Sequence, residues 1–142
     1  MTLLTAFDAD VLIYAAADGH PLGVPVASLF AVEGEGPVGI GSVLLLPEVL
    51  TKPLRGDPDS AEVKALAGLL GRLELRPVDE ATARLAVALA VTYRLRAADA
   101  VHLATAVASG ADRFLTNNRR DFPTTIDEID VVYPDDLANA QT

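Results

Sequence analysis

The sequence predicts an α/β fold in which a mainly parallel β-sheet lies between layers of helices. Two observations lead to this prediction. Short apolar runs, typical of buried strands, alternate with longer helical stretches along the chain. In addition, no linker, repeat or low-complexity stretch divides the 142 residues. We therefore expect residues 1–142 to form a single domain, a length that suits one hydrophobic core.

Five short runs are predicted to be strands because they are too short for helices and end at turn-forming or charged residues. They are Leu3–Phe7, Val38–Ile40, Leu73–Val78, Arg113–Leu115 and Ile129–Val132.

The helices are predicted from their start and stop signals. The first should follow Asp8 until Gly19 and Pro21, and the second should cover Val24–Val32. A third begins near Ser42 and is ended by Pro53 and the stretch Arg55–Asp59, after which Asp59 should cap a helix through Leu73. Asp79 caps a helix to about Leu95, Ala98–Ser109 forms a buried helix closed by Gly110, and a last short helix starts at Pro134.

Composition excludes several classes of site and of location. The chain has no cysteine, which rules out disulfides, thiolate zinc sites and cysteine nucleophiles, and its two histidines are too far apart to suggest a histidine-rich zinc site. Every apolar run is interrupted well before the roughly 20 residues that a membrane span requires. We expect a protein that does not contact membranes and is located in the cytoplasm.

The net charge of −9 argues against nucleic-acid binding, because affinity for phosphates comes mainly from lysine and arginine. The distribution of arginines weakens this argument, since several lie close in sequence to acidic residues: Arg55, Arg94, Arg96, Arg119 and Arg120. Arginine donates to phosphate in a planar, bidentate geometry, so a local basic rim could exist on an acidic protein. Ordinary surface arginines at helix ends are an equally good explanation.

Four acidic or amide positions lie at the ends or starts of apolar runs. They are Asp8, Glu48, Asp99 and the pair Asn117–Asn118. In an open α/β sheet, ligands bind beyond the carboxyl ends of the strands, where acids from distant segments can converge. Carboxylate oxygens suit hard cations such as Mg²⁺ or Mn²⁺. The order of these residues therefore points to metal-dependent chemistry.

Each acid also has a purely structural explanation. Asp8 and Asp10 could cap the first helix, and Asp99 would interact favourably with the amides of its helix's first turn. Glu48 lies in an apolar segment, although Pro47 could open a helix and leave Glu48 in its first turn. The metal hypothesis thus rests on all the acids together.

Three segments resemble the PIN-domain family of metal-dependent ribonucleases, especially the VapC-type toxins of toxin–antitoxin pairs. They are FDADVLIYA, PEVL and ADAVHLATAVASGADRFLTNNRRDF, and the resemblance spans nearly the whole chain. It implies a Rossmann-like three-layer sandwich and an acidic pocket that binds Mg²⁺ or Mn²⁺ and hydrolyses RNA. It also implies a cognate antitoxin and a homodimer, for which Val24–Val32 and Pro47–Leu54 could supply contacts, though core packing explains these two helices equally well.

The resemblance assigns roles to individual residues. Asp8 and Asp99 become metal ligands, Glu48 a ligand or water-orienting base, and Asn118 a catalytic residue that positions substrate. The expected substrate contacts are Thr116, Asn117, Arg119 and Arg120.

Two positions depart from the family pattern. Asp10 stands where the family usually has a hydroxyl or amide residue. Asn118 stands where it often has another aspartate, with Asp121 as a possible substitute. Amide oxygens can bind Mg²⁺ but add no negative charge, so the pocket could hold one metal ion or two.

Three other functions fit parts of the sequence. The Asp8–Asp10 motif and FLTN resemble haloacid-dehalogenase-type phosphatases, but those enzymes need a later lysine and none occurs beyond Lys64. A non-catalytic PIN-like module that binds RNA or a partner protein is compatible with Asn118. A structural α/β protein whose acids serve only as caps is the third alternative.

Overall fold

The computed structural model describes residues 3–140, so residues 1–2 and 141–142 of the predicted domain lie outside the described part. Its five strands are β1 (Thr5–Phe7), β2 (Gly39–Ser42), β3 (Leu73–Arg76), β4 (Arg113–Leu115) and β5 (Asp130–Val132). They form one sheet in the order β3-β2-β1-β4-β5, and every pairing is parallel. The predicted parallel α/β sheet is confirmed.

The helices follow the predicted order. They are α1 (Ala9–Ala16), α2 (Gly23–Phe30), α3 (Leu45–Gly56), α4 (Ala61–Leu70), α5 (Glu80–Tyr93), α6 (Ala97–Ala108) and α7 (Pro134–Ala140).

Alternating strand residues build a hydrophobic core on each face of the sheet. Ala6 and Phe114 pack on one face against α5 and α6. Phe7 and Leu115, the next residue in each strand, pack on the other face against α1 to α4 and α7. This arrangement is the predicted three-layer sandwich.

The chain changes direction across the sheet at β1. From β1 it proceeds to β2 and then β3 on one side, and after α5 and α6 it returns to β4 on the other side. In open α/β sheets such a switch point leaves a crevice beyond the carboxyl ends of the two strands that flank it. Here those ends are Asp8, after β1, and Thr116, after β4.

Several helix boundaries differ from the prediction, including the start of α3, which is Leu45 because Ser42 still lies in β2. α3 continues through Pro53 to Gly56. Although proline lacks a donor, the amide of Asp57 still donates to the carbonyl of Pro53 at 3.0 Å. α4 is capped by Ser60, whose hydroxyl oxygen accepts from the amide of Val63 at 3.2 Å, and not by Asp59.

Two predicted helix caps agree with the structure, whereas the end of α4 differs. Asp79 caps α5 by accepting from the amide of Thr82 at 2.8 Å, and Gly110 follows α6 in the left-handed conformation, with φ of 71°. α4 ends at Leu70 and not at Leu73, because Leu73 already pairs within β3. Within residues 3–140, no helix has the length and apolarity needed to cross a membrane.

Candidate active site

Asp8 is a buried carboxylate at the carboxyl end of β1, with 6% of its surface exposed. Its Oδ1 accepts from the amide of Ala9 at 2.8 Å, so it is the N-cap of α1. Its Oδ2 accepts from the hydroxyl of Thr116 at 2.7 Å. Asp8 is therefore both a helix cap and a carboxylate held in the crevice between β1 and β4.

Thr116 connects Asp8 to the loop that follows β4. Its oxygen accepts from the amide of Asn118 at 3.1 Å, and the Asn118 side chain donates to Asp121 Oδ2 at 2.9 Å. The amide of Asp121 donates in return to Asn118 Oδ1 at 3.2 Å. These bonds hold Asn118 and Asp121 together beside the crevice. An amide–carboxylate pair therefore lies where another aspartate was considered.

Asp10 lies in the first turn of α1. Its Oδ2 accepts from the amide of Asn117 at 3.0 Å, whereas Oδ1 is buried without a hydrogen-bond partner among the described residues. Burial, and next the charge of Asp8, raise the pKa of Asp10 to about 7. The crevice thus contains a buried carboxylate oxygen that no hydrogen bond satisfies among residues 3–140.

Glu48 enters the crevice from the first turn of α3 and contacts a histidine from α6. Its Oε2 lies 3.1 Å from Nε2 of His102, a charge contact without hydrogen-bond geometry, and Nδ1 of His102 is buried without a partner among residues 3–140. Burial lowers the pKa of His102, but the opposing effects of Glu48, Asp8 and Asp99 leave it raised overall. Glu48 therefore lies beside an imidazole whose pKa is raised above its ordinary value.

His102 was not among the residues predicted to be functional. Its only signal in the sequence was its position three residues after Asp99, which places both side chains on one face of α6.

Asp99 lies in the first turn of α6, half-buried. Burial, followed by the charges of Asp8 and Asp121, raises its pKa, and Glu48 contributes in the same direction. The pKa of Asp8 is likewise raised by burial, and Glu48 adds to the shift. The structure therefore brings together the predicted acids Asp8, Glu48 and Asp99, and adds Asp10 and Asp121 to them.

The acids fit a hard divalent cation in charge and donor type, although their side chains are not arranged around one. Among residues 3–140, no three Asp, Glu or His side chains form a group in metal-binding geometry. Burial raises the pKa values of Asp8, Asp10 and Asp99, and repulsion from neighbouring carboxylates adds to each shift, whereas His102 opposes the shifts of Asp8 and Asp99. A bound cation would relieve this repulsion.

The two predicted rim arginines have different environments. Arg119 donates to Asp135 of α7 at 3.0 Å, and its guanidinium lies 4.1 Å from the centre of the Tyr133 ring. Arg120 is exposed, and no ion pair or hydrogen bond of its side chain is found within the described chain. Arg119 thus has a structural role, and Arg120 is the freer cation of the two.

An open cavity of about 380 Å³ adjoins Glu48. It is lined by Ile13, Glu48, Val49, Lys52, Pro53 and Glu62, contributed by α1, α3 and α4. Because Lys52 follows Glu48 by one helical turn, the cavity combines a cation with a carboxylate of the acidic crevice.

Several solved structures are similar to this chain, and two of them are toxin–antitoxin complexes. A toxin–antitoxin complex from Klebsiella pneumoniae contains a chain that is 25% identical, with a TM-score of 0.70, over 92% of this chain and 97% of that one. The VapBC2 complex from Rickettsia felis, bound to a DNA fragment from its promoter, is 16% identical with the same TM-score, over 92% and 98% of the two chains. At that identity the second likeness shows the fold alone.

Comparison with curated proteins found no match. The family description "PIN domain" matches residues 6–126, which span all the acids of the crevice. The chain therefore belongs to the PIN domain family, whose members are generally nucleases.

Proposed function

We propose that this protein is a divalent-metal-dependent endoribonuclease, the toxin of a type II toxin–antitoxin pair. The observation that supports this most strongly is the convergence of Asp8, Asp10, Glu48 and Asp99 at the switch point of the sheet, with three of these carboxyls raised in pKa. The similar chain from Klebsiella pneumoniae was solved as part of a toxin–antitoxin complex.

The proposed ligands of Mg²⁺ or Mn²⁺ are Asp8, Asp99 and Glu48, with Asp10 added because its Oδ1 has no protein partner. A bound divalent ion would supply neutralisation of the phosphoryl oxygens and a more acidic water. Asp8 is oriented for this task by Thr116 and by the amide of Ala9. The ligands are thus held by rigid elements of the fold, the end of β1 and the first turns of α1, α3 and α6.

Glu48 is proposed as a ligand or as the base that orients the attacking water. Its neighbour His102 would help to fix the direction of the carboxylate, because Nε2 lies 3.1 Å from Oε2. Hydrolysis then requires the water to attack the phosphorus in line with the leaving oxygen, which takes up a proton as it departs.

We propose a narrower set of substrate contacts than the sequence predicted. Thr116 is fully buried and bonds to Asp8 and Asn118, so we assign it a positioning role in place of an RNA contact. The amide of Asn117 is engaged by Asp10, which leaves its half-buried side chain as a candidate contact. Arg120 is the best candidate for the RNA backbone, and Arg119 would contribute only if it left Asp135.

We also infer a cognate antitoxin, a homodimer and a cytoplasmic location. The exposed apolar residues on the helices that were expected to make contacts are Val24 on α2 and Leu46 and Leu54 on α3, and α5 exposes Val87 and Val91. On a chain with a net charge of −9, such uncharged patches are the surfaces at which acidic molecules can meet with the least repulsion.

A catalytically weak PIN module that binds RNA or a partner protein remains the second candidate. Two observations favour it: Asn118 replaces an acid and is bonded to Asp121, and no three described side chains already form a metal-binding group.

RNA cleavage assays test the proposal. The purified protein should cleave single-stranded or structured RNA with Mg²⁺ or Mn²⁺ and lose this activity in EDTA. Asp8→Asn and Asp99→Asn should reduce cleavage to the level of a mock purification. Asp59→Asn, which removes an exposed carboxylate outside the crevice, should retain full activity as the matched control. Full activity in Asp99→Asn would refute the assignment, and RNA binding without cleavage in either metal would support the second candidate.

A further inference from the structure

A second cavity lies at the opposite edge of the sheet from the acidic crevice. It has a volume of about 390 Å³ and lies beside the amino ends of the strands. It is lined by Leu3, Thr5, Leu29, Val32, Glu33, Gly34, Gly36, Pro37, Val38, Arg72 and Arg113. Its size is within the range of small-molecule sites.

Arg72 forms one charged wall of this cavity. Its Nη1 donates to the carbonyl of Phe30 at 3.3 Å, and its Nη2 donates to those of Val32 and Gly34 at 3.2 and 3.5 Å. These bonds hold the loop that precedes β2. Nε is buried without an acceptor, and no carboxylate among residues 3–140 forms an ion pair with this half-buried guanidinium. The backbone contacts thus leave its charge uncompensated.

Arg113, at the start of β4, forms the other charged wall. Its Nε donates to the Thr5 hydroxyl at 2.8 Å, and no ion pair is found for it in the described part of the chain. Burial lowers its pKa, which Asp112 partly opposes. Because neither of these half-buried guanidiniums has a carboxylate partner among residues 3–140, an anion in the cavity could pair with both.

The remaining walls are mainly apolar. Leu29 and Val38 are half-buried, whereas Leu3 and Val32 are 55% and 62% exposed at the edge of the cavity. Glu33 is the single acid that lines it, and its side chain is exposed. The cavity therefore pairs two cationic donors with apolar surface that a ligand could cover.

We propose that this cavity binds a small amphipathic anion, in which a carboxylate or phosphate group meets Arg72 and Arg113 and an apolar chain packs against Leu29, Val32 and Val38. Both guanidiniums present planar donors to such a head group. The site is independent of the nuclease proposal, because it shares no residue with the acidic crevice.

Binding of three matched probes tests this inference. Octanoate and octyl phosphate combine an anionic head group with an apolar chain, and octanol carries the same chain without charge. Octanoate, octyl phosphate or both should raise the melting temperature in proportion to the logarithm of concentration, and calorimetry should give a saturable isotherm. Octanol should bind at least about tenfold more weakly. The stronger of the two anions identifies the head group. No binding of either anion up to about 10 mM would overturn the proposal.

Variants identify the site that binds the probe. Arg113→Met should weaken binding at least about tenfold, and Glu33→Gln should strengthen it by removing a nearby negative charge. Arg72→Met would also remove the bonds that hold the loop before β2. Val32→Asp changes an exposed position instead, and it should weaken binding without that effect. Arg55→Met removes an exposed arginine outside the cavity and should leave binding unchanged. Equal binding by wild type, Arg113→Met and Val32→Asp would refute the assignment.

Discussion

Replacing Asp10 with asparagine should stabilise the metal-free protein at neutral and alkaline pH. The pKa of Asp10 rises from 3.8 to about 7 in the folded protein, chiefly because the carboxyl is buried and lies beside Asp8. Between these pH values the folded state binds more protons than the unfolded state. The free energy of unfolding therefore falls as pH rises from about 4 to 7. Above pH 7 Asp10 causes no further loss of stability.

The size of this effect follows from the shift. About three pKa units correspond to about 4 kcal/mol, which is a ceiling because Asp10 and Asp8 titrate together. For a chain of 142 residues this is a change in melting temperature on the order of 10 °C. Asparagine stays neutral and can still accept the hydrogen bond from the amide of Asn117.

Thermal melts in EDTA from pH 4 to pH 8 measure the difference. Wild type should lose stability across this range, Asp10→Asn should lose less, and the two curves should converge near pH 4. Mn²⁺ at pH 8 should raise the melting temperature of wild type more than that of the variant, because a cation relieves the same repulsion. Asp59→Asn is the control for loss of one charge. If the melting temperatures of wild type and Asp10→Asn changed in parallel with pH, Asp10 would not be the carboxyl whose raised pKa lowers stability.

Three further predictions concern residues around the crevice. Thr116→Val should lower the free energy of unfolding by about 1–3 kcal/mol, since it removes the donor to Asp8 and the acceptor for Asn118; unchanged urea unfolding would contradict this. Asn118→Asp should bind Mn²⁺ more tightly and melt lower in EDTA, and an identical metal-induced shift in wild type and variant would place the residue outside the cation site. Arg120→Ala should reduce the salt dependence of RNA binding. Arg119→Ala should mainly lower the melting temperature, because Arg119 contacts Asp135 and Tyr133. Equal salt slopes for Arg120→Ala and wild type would exclude Arg120 from the RNA surface.

Local sequence patterns predicted most of the secondary structure. The strand Arg113–Leu115 has the predicted bounds, and α6 differs from Ala98–Ser109 by one residue at each end. These elements have short apolar runs, caps and stop signals within a few residues of each boundary. The errors at Pro53 and Asp59 arose where neighbouring residues offered competing signals, and the contacts of the folded chain selected between them.

The sequence by itself determined the α/β class and placed Asp8, Glu48 and Asp99 at the ends of elements that a parallel sheet brings to one edge. Only the tertiary structure decided how these residues meet. Asp8 and Thr116 are 108 positions apart, yet they bond because β1 and β4 are neighbours at the switch point. The contact of Glu48 with His102 and the raised pKa of Asp10 likewise depend on burial and on the approach of separate helices. The hydrophobic pattern of each element indicates which of its sides is apolar. The contacts between these side chains and the burial that shifts their pKa values arise instead from packing between distant segments.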